Sequence, residues 1–393
     1  MRLLYSPLDA LQNVGNPYVP FQLPVQKFLL QVIRSGSLKA DPSVDWDWLA
    51  RSFAAGLIYQ IARQSEAPSI CSAKFLSAVK QTTMITAMRN QYRQQVVKRI
   101  ASAFEQAGLQ IVFVKGAAEI IRFDNDAWHL SLRDMDDIDA ICPPEQLEEA
   151  EKVMINLGYE IYDYDKPMPM QELRSWSIKH TGHYLFNPTK PEPVRTTVEL
   201  HIQVATGRSR DAYPLGFSER VLERCEVIDF QGVPVRVPSV EDMLVYLLCH
   251  AALPKDHYVM FAAEEFYFDD YPSVSKQKDI DLVQSRWDWY QIWFLTRLRS
   301  FLNAAGTIDQ STVSRALKSV KNRRLLDLYL SLAAEVLGLD SVCCGAVPKV
   351  KQAKLRALIL LYTRIWDSTA FKTARYKAFQ AREWSSRRLQ FVY

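Results

Sequence analysis

The chain has 393 residues, 48% of them apolar and 23% charged, and a formal net charge of +4. This composition excludes wholesale disorder, and the length allows two or three domains or one core with helical elaborations. No stretch approaches the roughly 20 apolar residues of a membrane span, and the opening MRLLYSPLDALQNVGNPYVPFQLP breaks its apolar runs with Asp, Asn, Gly and Pro, so a cytoplasmic protein is expected.

From Gln26 to about Ala107, apolar residues recur at spacings of three and four, which predicts a helical region over 1–107. Gly108 is placed to end its last helix. The period then changes. Ile111, Val112, Phe113 and Val114 form a short apolar run between Gly108 and Gly116 that reads as a buried strand, and AAEIIRF reads as the first turns of a helix. DIDAIC, from Asp137 to Cys142, reads as a second strand. PPEQLEEAEKVMINLG has Pro at its start, acids in its first turns, Leu147, Ala150, Val153 and Leu157 on one face, and Gly158 at its end, which predicts a helix. Tyr159 to Tyr164, His183 to Asn187 and Thr196 to Val204 are further strand candidates, so 108–237 reads as an α/β region. Helical patterns return over 238–393.

The basic C-terminal end carries Lys372, Arg375, Lys377, Arg382, Arg387 and Arg388 against Glu383. It reads as a solvated helix face ahead of an RNA-binding tail. The cysteines Cys71, Cys142, Cys225, Cys249, Cys343 and Cys344 form no Cys-x-x-Cys pair, so reduced thiols are expected.

The segment RDMDDIDAIC carries the chemistry. In a strand, residues two apart share a face, so Asp137 and Asp139 project together while Ile138 and Ala140 point the other way. Carboxylates this close repel unless a cation intervenes, and hard oxygen donors suit magnesium or manganese. Asp134 and Asp136 add to the negative charge. In VELHIQV, Glu199 and His201 share a face, and Glu199 becomes a third carboxylate if the two strands are neighbours. The junction FVKGAAEIIRF presents backbone amides at a helix opening, where Gly116 lets an anion approach closely and Lys115 and Arg133 add positive charge.

Other residues are assigned plainer roles. His180 and His183 flank a strand start and are read as structural or surface residues ahead of substrate contacts. His250 and His257 are read as helix and loop residues. Asp279 and Asp281 are read as acids opening a helix, and WDWYQIWF as packing.

The order strand, Lys115-Gly116-Ala117, helix, Arg133 through Asp139, Gly158-Tyr159 and Glu199-Leu200-His201 resembles the DNA polymerase β-like nucleotidyltransferase superfamily. Within it, the pattern is similar to a bacterial branch of largely uncharacterised nucleotidyltransferases, over about 110–300. The wider superfamily has Gly-Ser where this chain has Gly116-Ala117, a departure that the branch shares. The resemblance implies an α+β fold: a polymerase β-like nucleotidyltransferase core, with a small mixed sheet and flanking helices, between N-terminal and C-terminal helical regions.

It also implies a metal-dependent transfer of an NMP from an NTP, with AMP from ATP favoured, to a hydroxyl of a small molecule or protein, with release of pyrophosphate. Asp137, Asp139 and Glu199 would be catalytic and would hold Mg2+ or Mn2+, with Glu199 either binding a second metal or acting as general base. Lys115, Gly116, Ala117, Arg133 and His201 would bind the nucleotide. An RNA-end-modifying transferase using the basic C-terminal tail, and a non-catalytic nucleotide- or partner-binding protein, are the alternatives.

Overall fold

The protein is seen as a computed structural model, which describes residues 72–123, 137–162, 169–180, 182–204, 212–251 and 294–321, together with Met135 and shorter pieces within 28–64 and 326–330. Arg133, Asp134, Asp136, His257, Asp279, Asp281 and the basic C-terminal end lie outside the described residues, as does the side chain of His180.

Helix α1 spans Ala55–Gln64, and the long helical pattern that follows is one element, α2, Ala73–Gln106. Ser72 begins α2 by accepting the Phe75 N–H at 3.1 Å, a side-chain cap that satisfies a donor the helix cannot. Gly108 follows the helix with φ +67, the left-handed conformation expected of a residue that stops a helix. The second half of α2 buries Val96, Val97, Ile100, Ala101 and Phe104 against the rest of the molecule. Its Gln94 side chain donates to the Ile120 carbonyl at 2.6 Å.

The strand expected over 111–114 is reduced to β1, Val112–Phe113. Helix α3, Lys115–Arg122, follows it at once and starts one residue before Gly116. Strand β2 is Asp137–Ile141, and after a 3-10 turn helix α4 runs from Leu147 to Asn156. The buried face of α4 is set by Ala150, Glu151 and Met154, whereas Leu147, Val153 and Leu157 are only half-buried. The face is rotated because Glu151 turns inward to an ion pair with Arg174.

Gly158 joins α4 to β3, Tyr159–Ile161, with φ +85. A methyl group there would meet nothing nearer than Thr189 Oγ1 at 3.7 Å. Gly158→Ala is therefore expected to lower unfolding stability by about 1 kcal/mol through backbone conformation alone, measured by urea denaturation. Wild-type stability would contradict this.

Helix α5, Met170–His180, is an element the sequence patterning did not single out, and it leads into β4, His183–Pro188, and β5, Thr197–His201. The five strands form one mixed sheet in the order β1-β2-β5-β4-β3. Only β2 and β5 are parallel; the other neighbours are antiparallel. Ile138, Ala140, Val198, Leu200, Tyr184 and Phe186 are buried on one face, and alternation sends their neighbours to the other. This is the small mixed sheet with flanking helices expected for the fold.

Helix α6, Phe217–Glu223, precedes a separate hairpin of β6, Glu226–Phe230, and β7, Val233–Val237. Gln231 and Gly232, with φ +52 and +79, turn it, the pair of positive angles that a two-residue hairpin loop requires. Helix α7, Val240–Ala251, helical residues 294–305 (α8) and α9, Gln310–Lys318, follow. Among the described residues, no helix is long and apolar enough to cross a membrane.

Candidate active site

The polar face of the sheet is built by register. Asp139 stands opposite Glu199 in the parallel β2–β5 ladder, Asp137 opposite Thr197 and Ile141 opposite His201. Paired residues in a ladder share a face, so Asp137, Asp139, Glu199 and His201 come together from two segments about 60 residues apart in the chain. One carboxylate oxygen from each of Asp137, Asp139 and Glu199 lies within 4.8 Å of the others. Three convergent carboxylates are a hard oxygen donor set that fits a magnesium or manganese ion.

Lys115 closes the site from the β1–α3 junction. Val114 N–H donates to the Asp139 carbonyl at 2.9 Å, which extends the β1–β2 pairing to the helix entrance. Lys115 then takes φ +52, a left-handed conformation that costs a non-glycine residue energy. Its Nζ lies 2.5 Å from Asp139 Oδ1. Ala118 N–H donates to the Val114 carbonyl at 3.3 Å, so the amides of residues 115–117 have no acceptor within the helix and face outward from its positive end.

Charge compensation dominates the electrostatics. Burial by itself would raise the Asp139 carboxyl, but Lys115 and His201 beside it overturn that and hold it well below the usual carboxylate range. Burial would likewise lower Lys115; Asp139, with smaller contributions from Tyr246, Glu199 and Asp137, raises it well above the ordinary amine value. At Glu199 burial, the largest single influence, is outweighed by the hydrogen bond from His201 together with the charges of Lys115 and His201, leaving the carboxyl below its ordinary value. His201 itself is raised: its bonds to Asp139 and Glu199 prevail over burial. Its Nε2 lies 3.1 Å from Asp139 Oδ1 and 3.2 Å from Glu199 Oε2.

Beside Lys115 lies a small recess lined by Glu119, Met243, Tyr246, Leu247 and His250 among others. Arg297 of α8 reaches Glu119 of α3 at 2.9 Å and so ties the C-terminal helices to this wall.

The structure thus brings Lys115, Gly116, Ala117, Asp137, Asp139, Glu199 and His201 together, while Arg133 lies outside the described residues. Sequence patterning missed His183. It is 7% exposed and its Nε2 lies 3.7 Å from Glu199 Oε1. The signal was its place at the head of a strand, which points to the site only once β4 is known to pair with β5.

No curated protein matches the chain. Among solved structures it is similar to the solution structure of the antibiotic-resistance factor ANT(2'')-Ia, at 14% identity and a TM-score of 0.27, over 70% of this chain and 97% of that one. It is also similar to the crystal structure of ANT(2'')-Ia in complex with adenylyl-2''-tobramycin, at 18% identity and a TM-score of 0.26, over 54% of this chain and 98% of that one. A family described as uncharacterised nucleotidyltransferases matches residues 40–267, more than half the chain, and spans the sheet, Lys115 and all three carboxylates. The chain belongs to this nucleotidyltransferase family.

Proposed function

We propose that the protein transfers an NMP, AMP from ATP as the first choice, to a hydroxyl of a small molecule or protein and releases pyrophosphate in a metal-dependent reaction. The observation that carries this reading is the convergence of Asp137, Asp139 and Glu199 next to the opening of α3 and Lys115. Those three carboxylates would hold a divalent cation. Bound there, it supplies positive charge against the triphosphate and lowers the pKa of an attacking hydroxyl.

The remaining roles fall to the chain's own groups. The amides of Gly116 and Ala117 donate hydrogen bonds to phosphate oxygens at the positive end of α3. Lys115 neutralises Asp139 in the resting site and is within reach of the same phosphates. Arg133 adds positive charge to them. His201 fixes the rotamers of Asp139 and Glu199 through its two bonds, so the carboxylates are positioned before substrate arrives. In this reading 108–237 is the catalytic core, 1–107 and 238–393 are helical regions around it, and the reaction takes place in the cytoplasm.

Incubating the chain with each α-labelled NTP and Mg2+ or Mn2+, alone and with cell extract, tests the reading. Label from ATP is expected to move to a small molecule or protein with stoichiometric pyrophosphate release. Nucleotide binding without pyrophosphate release across these acceptors would overturn it, and label confined to RNA would reassign the acceptor.

A further inference from the structure

We propose that His183, Glu199 and His201 form a second cation site, of mixed nitrogen and oxygen donors, that takes a borderline-soft ion such as zinc or cobalt beside the all-carboxylate site. The donors come from two adjacent strands. His183 stands directly opposite His201 in the β4–β5 ladder, and Glu199 precedes His201 by two residues on the same face.

Both imidazoles are 7% exposed, and both turn Nε2 toward one carboxylate. His183 Nε2 is 3.7 Å from Glu199 Oε1, and His201 Nε2 is 3.2 Å from Glu199 Oε2. Two donors on one tetrahedral ion, each bonded at about 2.1 Å, stand roughly 3.4 Å apart. The observed separations fall on either side of that value, and one donor atom from each of the three residues lies within 4.8 Å of the other two. The rings are tilted by 53° with centroids 4.6 Å apart, so they converge without stacking.

The donor set decides which ion is taken. Two imidazoles and one carboxylate suit zinc and related transition metals, whereas magnesium prefers oxygen ligands and retained water. Glu199 belongs to both groups and would bridge them. Asp139 Oδ1, which also contacts His201, keeps Lys115 as a partner if the His201 nitrogen turns to an ion. The proposal is argued from these strand positions and does not depend on the transfer reaction.

The test is a Co2+ titration of the full chain after chelator treatment, reading visible ligand-field absorption, with Zn2+ as competitor. One equivalent of Co2+ should bind with an imidazole-ligated spectrum and be displaced by Zn2+. Asp137→Asn should retain that spectrum, whereas His183→Gln should weaken binding about tenfold or more and alter the band. Circular dichroism checks each variant, and His201→Gln replaces His183→Gln if the latter does not fold. Wild-type titration and absorption in the histidine variants, absence of a visible band in the wild-type chain, or loss of the band in Asp137→Asn would each overturn the proposal. Loss of nucleotide transfer with the cobalt band intact would count against the enzymatic reading and leave this site standing.

Discussion

The double substitution Asp137→Asn, Asp139→Asn is expected to reduce nucleotide transfer by at least about a thousandfold while the chain stays folded. A thousandfold corresponds to about 4 kcal/mol of transition-state stabilisation. Removing two of three carboxylates from the proposed cation site would forfeit charge against a triphosphate, an effect of several kcal/mol. The structural cost is the loss of the counter-charge to buried Lys115, about 3–5 kcal/mol, and the lower end applies because Asn keeps an oxygen where Lys115 and His201 donate to Asp139. That is within reach of ordinary domain stability. Transfer assayed beside a circular dichroism melt separates the two effects. A folded double variant with undiminished transfer would remove the acidic centre from the mechanism.

The same substitutions show what the sequence made legible. Asp137 and Asp139 were readable as partners because period two is a local property, and the apolar Ile138 and Ala140 between them identified the strand. Glu199 and His201 were readable in the same way within VELHIQV. The register that sets Asp139 opposite Glu199 was not readable, since it depends on how the chain between Cys142 and Thr196 returns to the sheet. For that reason His183 passed as a peripheral residue: its relation to Glu199 exists only across the β4–β5 ladder.

Two further differences have local causes. In the β6–β7 hairpin, a pair of strands the sequence patterning does not single out, Glu226 shares a face with Ile228 and Phe230 while exposed Val227 lies on the other, and the turn is made by Gln231, which is not a residue that advertises a positive φ. In α4 the inward turn of Glu151 toward Arg174 follows from a partner on another helix, so a hydrophobic stripe alone placed the face a fraction of a turn away.

Lys115→Met is expected to destabilise the metal-free protein by about 3 kcal/mol and to make its stability depend strongly on Mg2+. The Lys115 side chain is 14% exposed and that of Asp139 4%, so the amine cannot be replaced by bulk water without moving the chain. Removing one member of a buried pair leaves the other charge uncompensated, at a cost of about 3–5 kcal/mol. Here the lower figure applies, because His201 still donates to Asp139. For a cooperative unit of about 150–250 residues this corresponds to a fall in melting temperature of roughly 6–12 °C.

On the proposed reading Lys115 and a cation would compete for Asp139 in the wild-type chain, whereas in Lys115→Met the cation alone would restore neutrality. Mg2+ should therefore raise the melting temperature of the variant by more than that of the wild type. Equal Mg2+ shifts in wild type and Lys115→Met would show that Lys115 is not the resting counter-charge of the acidic site, whatever its contact with the phosphates.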